Sequence, residues 1–275
     1  MQVTSREYKV IIDSALFTDP ETALSVIQED TGGLAGEVNV EVVGRFEASD
    51  PKERTVLFLD TPDFTLRWNG LLLRKRVKKK NDKVEYTLKS RNEDRYIAAG
   101  ADHRTGPDLE FDSKFEEDIG VPFVSRFSHS TTVSSGNGVA FTGDSYPQTL
   151  AAAAELFPGL LAARRDGMPC SPKTAILPVN GIPVFERVYS GPVIHLPKID
   201  SHSPSAKATV AVIVWTKGPQ GRVLTAEFSF RYEEENEVFE PEVARAARRF
   251  FTGLQQLDWT RPEGPTKTQY LYGSR

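Results

Sequence analysis

Charged and apolar residues alternate along most strand-like segments of this 275-residue chain, and this alternation constrains the fold more than any other feature. Successive side chains of a strand point to opposite faces, so residues two apart share a face. One face of segment 71–78 carries Leu72, Arg74, Arg76 and Lys78, and one face of segment 83–91 carries Lys83, Glu85, Thr87, Lys89 and Arg91. Segments 7–12, with Ser5 before it, 108–117 and 222–233 repeat the pattern. Each strand is therefore half apolar and half charged.

Two architectures fit such strands. One is an ordinary sheet with an apolar core face and a face in water. The other is a closed antiparallel β-barrel with a polar interior and helices packed outside. Charges inside a barrel are stable only if they pair or if a charged ligand fills the space. Converging Arg and Lys side chains would hold phosphate oxygens, and nearby carboxylates would hold a divalent cation. We expect the second architecture, with a triphosphate-like polyanion as ligand.

The remaining segments complete a mainly β, α+β chain. Helices are predicted at 18–30, with Asp19 as N-cap and Pro20 in the first turn, at 147–165 and at 241–257. Asn69-Gly70, between strand-like runs at 65–68 and 71–78, predicts a hairpin. Further strands are predicted at 38–46, 54–60, 173–179, 183–194 and 208–216, and loops at 125–146 and 195–207. With no secure boundary, we expect one domain over 1–275, with insertions near 92–107, 125–146 and 195–207.

Composition narrows the classes of function. The formal net charge of −4 does not favour a general nucleic-acid binder. The basic run at 74–80 could be a nucleic-acid patch, but it lacks interleaved aromatic residues and ends at a predicted hairpin tip. One cysteine excludes an intramolecular disulfide, and no apolar run is long enough for a signal peptide or a bilayer span. We expect a cytoplasmic protein without membrane contact. The sequence does not decide between a monomer and a homodimer.

Several short motifs carry a resemblance to a known family. Glu7-x-Lys9 is followed by residues 60–67 with the sequence DTPDFTLR, by residues 70–76 with GLLLRKR, and by residues 85–89 with EYTLK. This order resembles the CYTH domain of the triphosphate tunnel metalloenzyme superfamily. That family includes class IV adenylate cyclases, thiamine triphosphatases, inorganic triphosphatases and fungal-type RNA triphosphatases. Segment 58–91 is the specific part, and the resemblance extends loosely over most of the chain.

The resemblance implies an eight-stranded antiparallel tunnel and a set of site residues. Phosphate contacts would come from Lys9, Arg74, Arg76, Lys89, Lys173 and Lys267, and Mg²⁺ or Mn²⁺ would be bound by Glu7 and Glu227. Glu186 is a weaker candidate for an acidic site residue that accompanies Lys173. Ser5 and Ser229 stand where the family has carboxylates, so this chain has fewer candidate metal ligands than the family pattern. Glu110, Asp112 and Glu116 are candidate replacements.

Two functions follow from this interpretation. The first is metal-dependent hydrolysis of a triphosphate, with inorganic, nucleoside and thiamine triphosphate all open and cyclase activity less favoured. Glu7, Lys9, Arg74, Arg76 and Lys89 would form the catalytic set. The second is a non-catalytic protein that binds phosphate or another polyanion after losing part of its metal site.

Overall fold

The structure is a computed structural model that describes residues 1–134, 141–181, 183–197 and 205–273. The chain folds into two compact units, each packed mainly against itself. Unit one comprises Met1, Glu53–Phe115 and Arg126–Phe185, and unit two comprises Gln2–Lys52, Glu116–Ser125 and Glu186–Arg275. The single domain over 1–275 stays a prediction.

The elements are as follows. The strands are β1 (Ser5–Ile12), β2 (Glu41–Val43), β3 (Lys52–Asp60), β4 (Leu71–Lys78), β5 (Val84–Asn92), β6 (Phe111–Gly120), β7 (Val124–Ser134), β8 (Arg164–Arg165), β9 (Met168–Pro169), β10 (Leu177–Pro178), β11 (Val184–Leu196), β12 (Ala206–Thr216) and β13 (Val223–Glu233). The α-helices are α1 (Pro20–Glu37), α2 (Thr65–Trp68), α3 (Arg95–Gly100), α4 (Leu150–Leu156), α5 (Pro241–Leu254) and α6 (Lys267–Tyr272).

Unit one is built on an antiparallel sheet with the strand order β10-β3-β4-β5-β7. One face is apolar because Leu73, Tyr86, Leu88 and Val133 point to the same side and are buried. Residues of α4, among them Leu150 and Leu156, complete this core. The opposite face carries the charged residues that the period of two predicts.

Unit two is built on the strand order β6-β1-β13-β12-β11-β2. Strands β1, β13 and β12 are antiparallel neighbours, whereas β1 and residues 116–119 of β6 run parallel. The apolar face of this sheet packs with α1 and α5. Tyr8 of β1 stacks on Phe230 of β13, with ring centroids 4.6 Å apart, and Phe250 of α5 meets Phe230 edge-on.

The two longest helices confirm the sequence prediction. Asp19 is the N-cap of α1 and accepts a hydrogen bond of 3.1 Å from the Thr22 amide, with Pro20 at the first helical position. Helix α5 buries the predicted apolar stripe, which includes Val243, Phe250 and Leu254. Among the described residues, no helix combines the length and apolar character needed to span a membrane.

Five local predictions were wrong in type or in extent. Segment 65–68 is helix α2 because the buried carboxylate of Asp60 accepts the amides of Leu66 and Arg67 at 2.9 and 3.1 Å. Asn69 and Gly70 therefore join a helix to a strand instead of forming a hairpin. The predicted loop 125–146 contains most of β7, although residues 135–140 lie outside the described part. The strand at 38–46 shrinks to β2 and the one at 173–179 to β10.

The other expectations hold in outline. The fold is mainly β with helices, and its large sheets are mostly antiparallel, as predicted. The helix at 147–165 breaks at Pro158, where a short 3₁₀ helix follows α4. The loop at 195–207 is shorter, because β11 ends at Leu196 and β12 begins at Ala206; residues 198–204 are not described. The exact number of eight strands and their closure into a tunnel stay predictions.

Candidate polyanion and metal site

The charged face of unit one brings three of the predicted phosphate ligands onto neighbouring strands. Arg74 and Arg76 lie on β4, and Lys89 lies on β5 opposite Leu72, which shares the face of the two arginines. All three side chains are partly exposed. Positions two apart on a strand are about 7 Å apart, so the two guanidinium groups can reach neighbouring groups of one anion. The structure thus brings together three of the four unit-one cations that the sequence singled out.

A row of hydroxyl groups on β7 borders these cations. Ser128, Ser130, Thr132 and Ser134 alternate along β7 and pair in register with Arg91, Lys89, Thr87 and Glu85 of β5. The Thr87 and Thr132 hydroxyls are 2.9 Å apart, and Arg74 Nη2 donates to Thr87 Oγ1 at 3.4 Å. Arg91 Nε donates to Ser128 Oγ at 3.2 Å. Cations and hydroxyl groups therefore form one polar face across three strands.

Lys75 belongs to the opposite face, although it lies between the two arginines in sequence. It is 1% exposed, and its ammonium donates to the carbonyl oxygens of Gly143 and Ser145, the latter at 2.7 Å. Burial lowers the pKa of Lys75, and Asp144 opposes that shift. Lys75 is thus a core contact in unit one and not a ligand of the charged face.

In unit two, Lys9 joins two carboxylates. Its Nζ lies 2.7 Å from Glu7 Oε2 and 2.6 Å from Asp118 Oδ1. The parallel pairing of β1 with β6 places Asp118 directly beside Glu7. The Asp118 side chain is only 6% exposed, so removing its cation would cost about 3–5 kcal/mol. Lys9 therefore acts first as the counter-ion of these two carboxylates.

A second ion pair on the same face lies around Glu116. The Ser5 hydroxyl donates to Glu116 Oε1 at 2.9 Å, and Arg231 Nη1 lies 3.2 Å from the same oxygen. Arg231 also contacts Glu233 at 2.8 Å. Ser5, where the family has a carboxylate, is thus a hydrogen-bond donor to the carboxylate of the neighbouring strand.

A third ion pair lies at Glu227. Lys267, the first residue of α6, places its Nζ 2.8 Å from Glu227 Oε1, so the two predicted residues meet. The same ammonium lies 5.6 Å from the centre of the Trp215 ring, within the range of a cation–π contact. Trp215 Nε1 donates to the buried Glu186 at 2.9 Å. Trp215, to which the sequence assigned no role, therefore lies between Lys267 and the weaker candidate Glu186.

Three other candidate residues lie apart from these clusters. In unit one, Lys173 is exposed in a turn before β10, and Glu110 and Asp112 are exposed, with Lys114 Nζ 3.7 Å from Asp112. None of the described residues forms a group of three or more His, Cys, Asp or Glu side chains able to hold a metal ion. Together with the ammonium ions on Glu7, Asp118 and Glu227, this means that the residues present do not fit a resident Mg²⁺ or Mn²⁺.

The sequence interpretation missed Asp118, Arg231 and the hydroxyl row of β7. A signal existed for each. Alternation at 108–117 continues to Asp118, and Ser128, Ser130 and Thr132 alternate with Phe127, His129 and Thr131. The row was overlooked because segments rich in Ser and Thr are typical of loops.

Comparisons with known proteins give structural matches only. No family model and no curated protein matches the sequence. A candidate adenylyl cyclase from Hippeastrum, described as having a dominant triphosphatase activity, matches at 14% identity and a TM-score of 0.42, covering 98% of this chain and 95% of its own. Candidate adenylate cyclases from Bacillus halodurans (12%, TM-score 0.39, 99% of each chain) and Vibrio parahaemolyticus (8%, TM-score 0.33, 98% of this chain and 99% of its own) also match.

Identities and TM-scores this low carry no argument about substrate or mechanism. The matches state only what the chain is similar to, namely candidate adenylate cyclases, one of which is described as having triphosphatase activity.

Proposed function

We propose that this chain binds a triphosphate-like polyanion on the charged face that β4, β5 and β7 form in unit one. The observation that carries the proposal is the joint placement of Arg74, Arg76 and Lys89 beside the hydroxyl groups of Thr87 and Thr132. Guanidinium and ammonium groups make strong, charge-assisted hydrogen bonds to phosphate oxygens, and hydroxyl groups rotate to donate to whichever oxygen is near.

The chemistry of this face favours an anion with several charges. Arg74 and Arg76 share one face of β4, and an anion long enough to reach both would use the planar donor groups of each. A single phosphate would engage fewer of them. We therefore expect inorganic triphosphate, a nucleoside triphosphate or thiamine triphosphate to bind better than orthophosphate. The closed eight-stranded tunnel is part of this proposal, as are a cytoplasmic location and the absence of general nucleic-acid binding.

Calorimetry with inorganic triphosphate tests the proposal. Wild type should bind, and Arg74→Ala or Arg76→Ala should weaken binding at least about tenfold, because each removes a charged donor. Thr132→Val, which keeps the shape and loses the hydroxyl, should weaken it several-fold. Lys80→Ala is the matched control, since it removes an exposed cation from the turn after β4. The proposal is wrong if wild type does not bind, or if Lys80→Ala weakens binding as much as Arg74→Ala.

Hydrolysis of the bound triphosphate with Mg²⁺ or Mn²⁺ is the second candidate. It rests on the sequence resemblance, and it requires a metal ion to displace the ammonium of Lys9 from Glu7 and Asp118. The catalytic roles of Glu7 and Lys9 stay predictions. Release of orthophosphate from triphosphate, measured with each metal and with a chelator, decides between an enzyme and a non-catalytic binder.

A further inference from the structure

Three buried carboxylates on the polar face of unit two, and the partly exposed Glu7, each contact a cation of the same chain. Lys9 lies on Glu7 and Asp118, and Lys267 lies on Glu227. Glu116 contacts Arg231. These contacts are 2.6 to 3.2 Å long, so each is a direct ion pair. Each of the four carboxylates therefore already has a cation in contact, and two of them share Lys9.

A divalent cation would have to displace these groups. Mg²⁺ and Mn²⁺ require several oxygen ligands close around the ion, and an ammonium group in contact with those oxygens both fills the space and repels the ion. Ser5 and Ser229, buried on the same face, supply hydroxyls instead of carboxylates. The ammonium groups that occupy the carboxylate oxygens, together with the two hydroxyls, therefore oppose metal binding.

We infer that Lys9 and Lys267 are resident cations of this face and that they exclude a divalent metal ion from it. Removal of either ammonium takes one positive charge away from the carboxylates that it contacts. Glu7 and Asp118, or Glu227 with its neighbours, then gain affinity for Mn²⁺. The inference is independent of the proposed polyanion binding, because it concerns carboxylates of unit two and is tested without phosphate.

Lys9→Met and Lys267→Met test the inference, because methionine keeps much of the apolar stem and removes the charge. Mn²⁺ binding is measured on the full chain by calorimetry and by the loss of the free-ion electron paramagnetic resonance signal. We expect wild type to bind Mn²⁺ at least about tenfold more weakly than either variant. Lys79→Met is the matched control, since it removes an ammonium from an exposed pair with Glu53 and should leave Mn²⁺ affinity unchanged.

Thermal unfolding provides a second readout. Because Mn²⁺ would bind the folded variant at a site that lacks its counter-ion, it should raise the Tm of Lys9→Met and Lys267→Met and leave wild type unchanged. The lysines lie on separate elements, so one variant suffices if the other does not fold. Tight Mn²⁺ binding by wild type, or equal affinity in wild type and a folded variant, would overturn the inference, whether or not triphosphate binds.

Discussion

Lowering the pH from 7 to 5 should destabilise unit one through two buried histidines. His103 and His129 are 7% and 5% exposed, and their rings stack with centroids 3.8 Å apart. His103 Nε2 lies 3.0 Å from Ser90 Oγ, whose hydroxyl donates to the Ala98 carbonyl, so this nitrogen carries the proton of the neutral ring. Among the described residues, His103 Nδ1 has no hydrogen-bond partner. Protonation would thus create a buried charge and an unsatisfied donor.

The size of the effect follows from the pKa. Burial, and next the neighbouring His129, lower the pKa of His103 from 6.5 to about 3, while Asp102 opposes the shift. Burial also lowers the pKa of His129, as does the charge of the N-terminal amine. Between pH 6.5 and about 3 the unfolded chain therefore binds a proton that the folded chain does not, and stability falls as pH falls. At pH 5 the loss from His103 is about 2 kcal/mol.

Urea unfolding at pH 7, 6 and 5 measures this loss. His103→Phe keeps a ring against His129 but cannot titrate, so the dependence of the free energy of unfolding on pH should flatten. His195→Gln, which changes a partly exposed histidine of β11 in unit two, is the control for replacing a histidine outside the His103–His129 pair. This pH range lies above the ordinary pKa values of carboxyl groups, which keeps their contribution small. An unchanged pH dependence in His103→Phe, or protonation of His103 near pH 6 by NMR, would refute the reasoning.

Two further changes test contacts within unit one. Asp60→Asn should lower the free energy of unfolding by about 2 kcal/mol, because it weakens the acceptor for the Leu66 and Arg67 amides. Urea unfolding measures this change, and an effect below about 0.5 kcal/mol would contradict the role of Asp60 at the start of α2. Lys75→Met should lower the free energy of unfolding by about 1–3 kcal/mol, because the Ser145 carbonyl oxygen loses a buried donor. The segment around Ser145 should then be cleaved faster by a protease, and unchanged cleavage would argue against this contact.

Periodicity predicted the parts of the fold that depend on one face packing against another. The stripe of α5 from Val243 to Leu254 and the alternation of β4 and β5 both follow from burial of one side of an element. The predicted buried faces were correct even where the observed end of an element differs from the predicted end. The buried face depends on the spacing of the apolar residues and not on where the element ends.

Contacts between distant residues explain what the sequence could not predict. Helix α2 depends on Asp60, which lies several residues upstream. The β-propensity of residues 65–68 alone does not include this contact. The partner of Lys9 is Asp118 because β6 runs parallel to β1, and no local pattern states that pairing. Glu110 and Asp112 were predicted as ligands because they are carboxylates, but they lie on an exposed stretch.

The burial of Lys75 has a consequence for how β4 aligns with its neighbours. A slip of one residue would turn Arg74 and Arg76 towards the apolar side and leave Lys75 in water. Two carbonyl oxygens accept from the one ammonium at this depth, whereas the slip would bury two guanidinium groups among apolar side chains such as Leu73 and Leu88. The cost of desolvating two guanidinium groups therefore favours the observed register of β4 over a register shifted by one residue. The run of basic residues in β4 is thus compatible with one alignment against its neighbours.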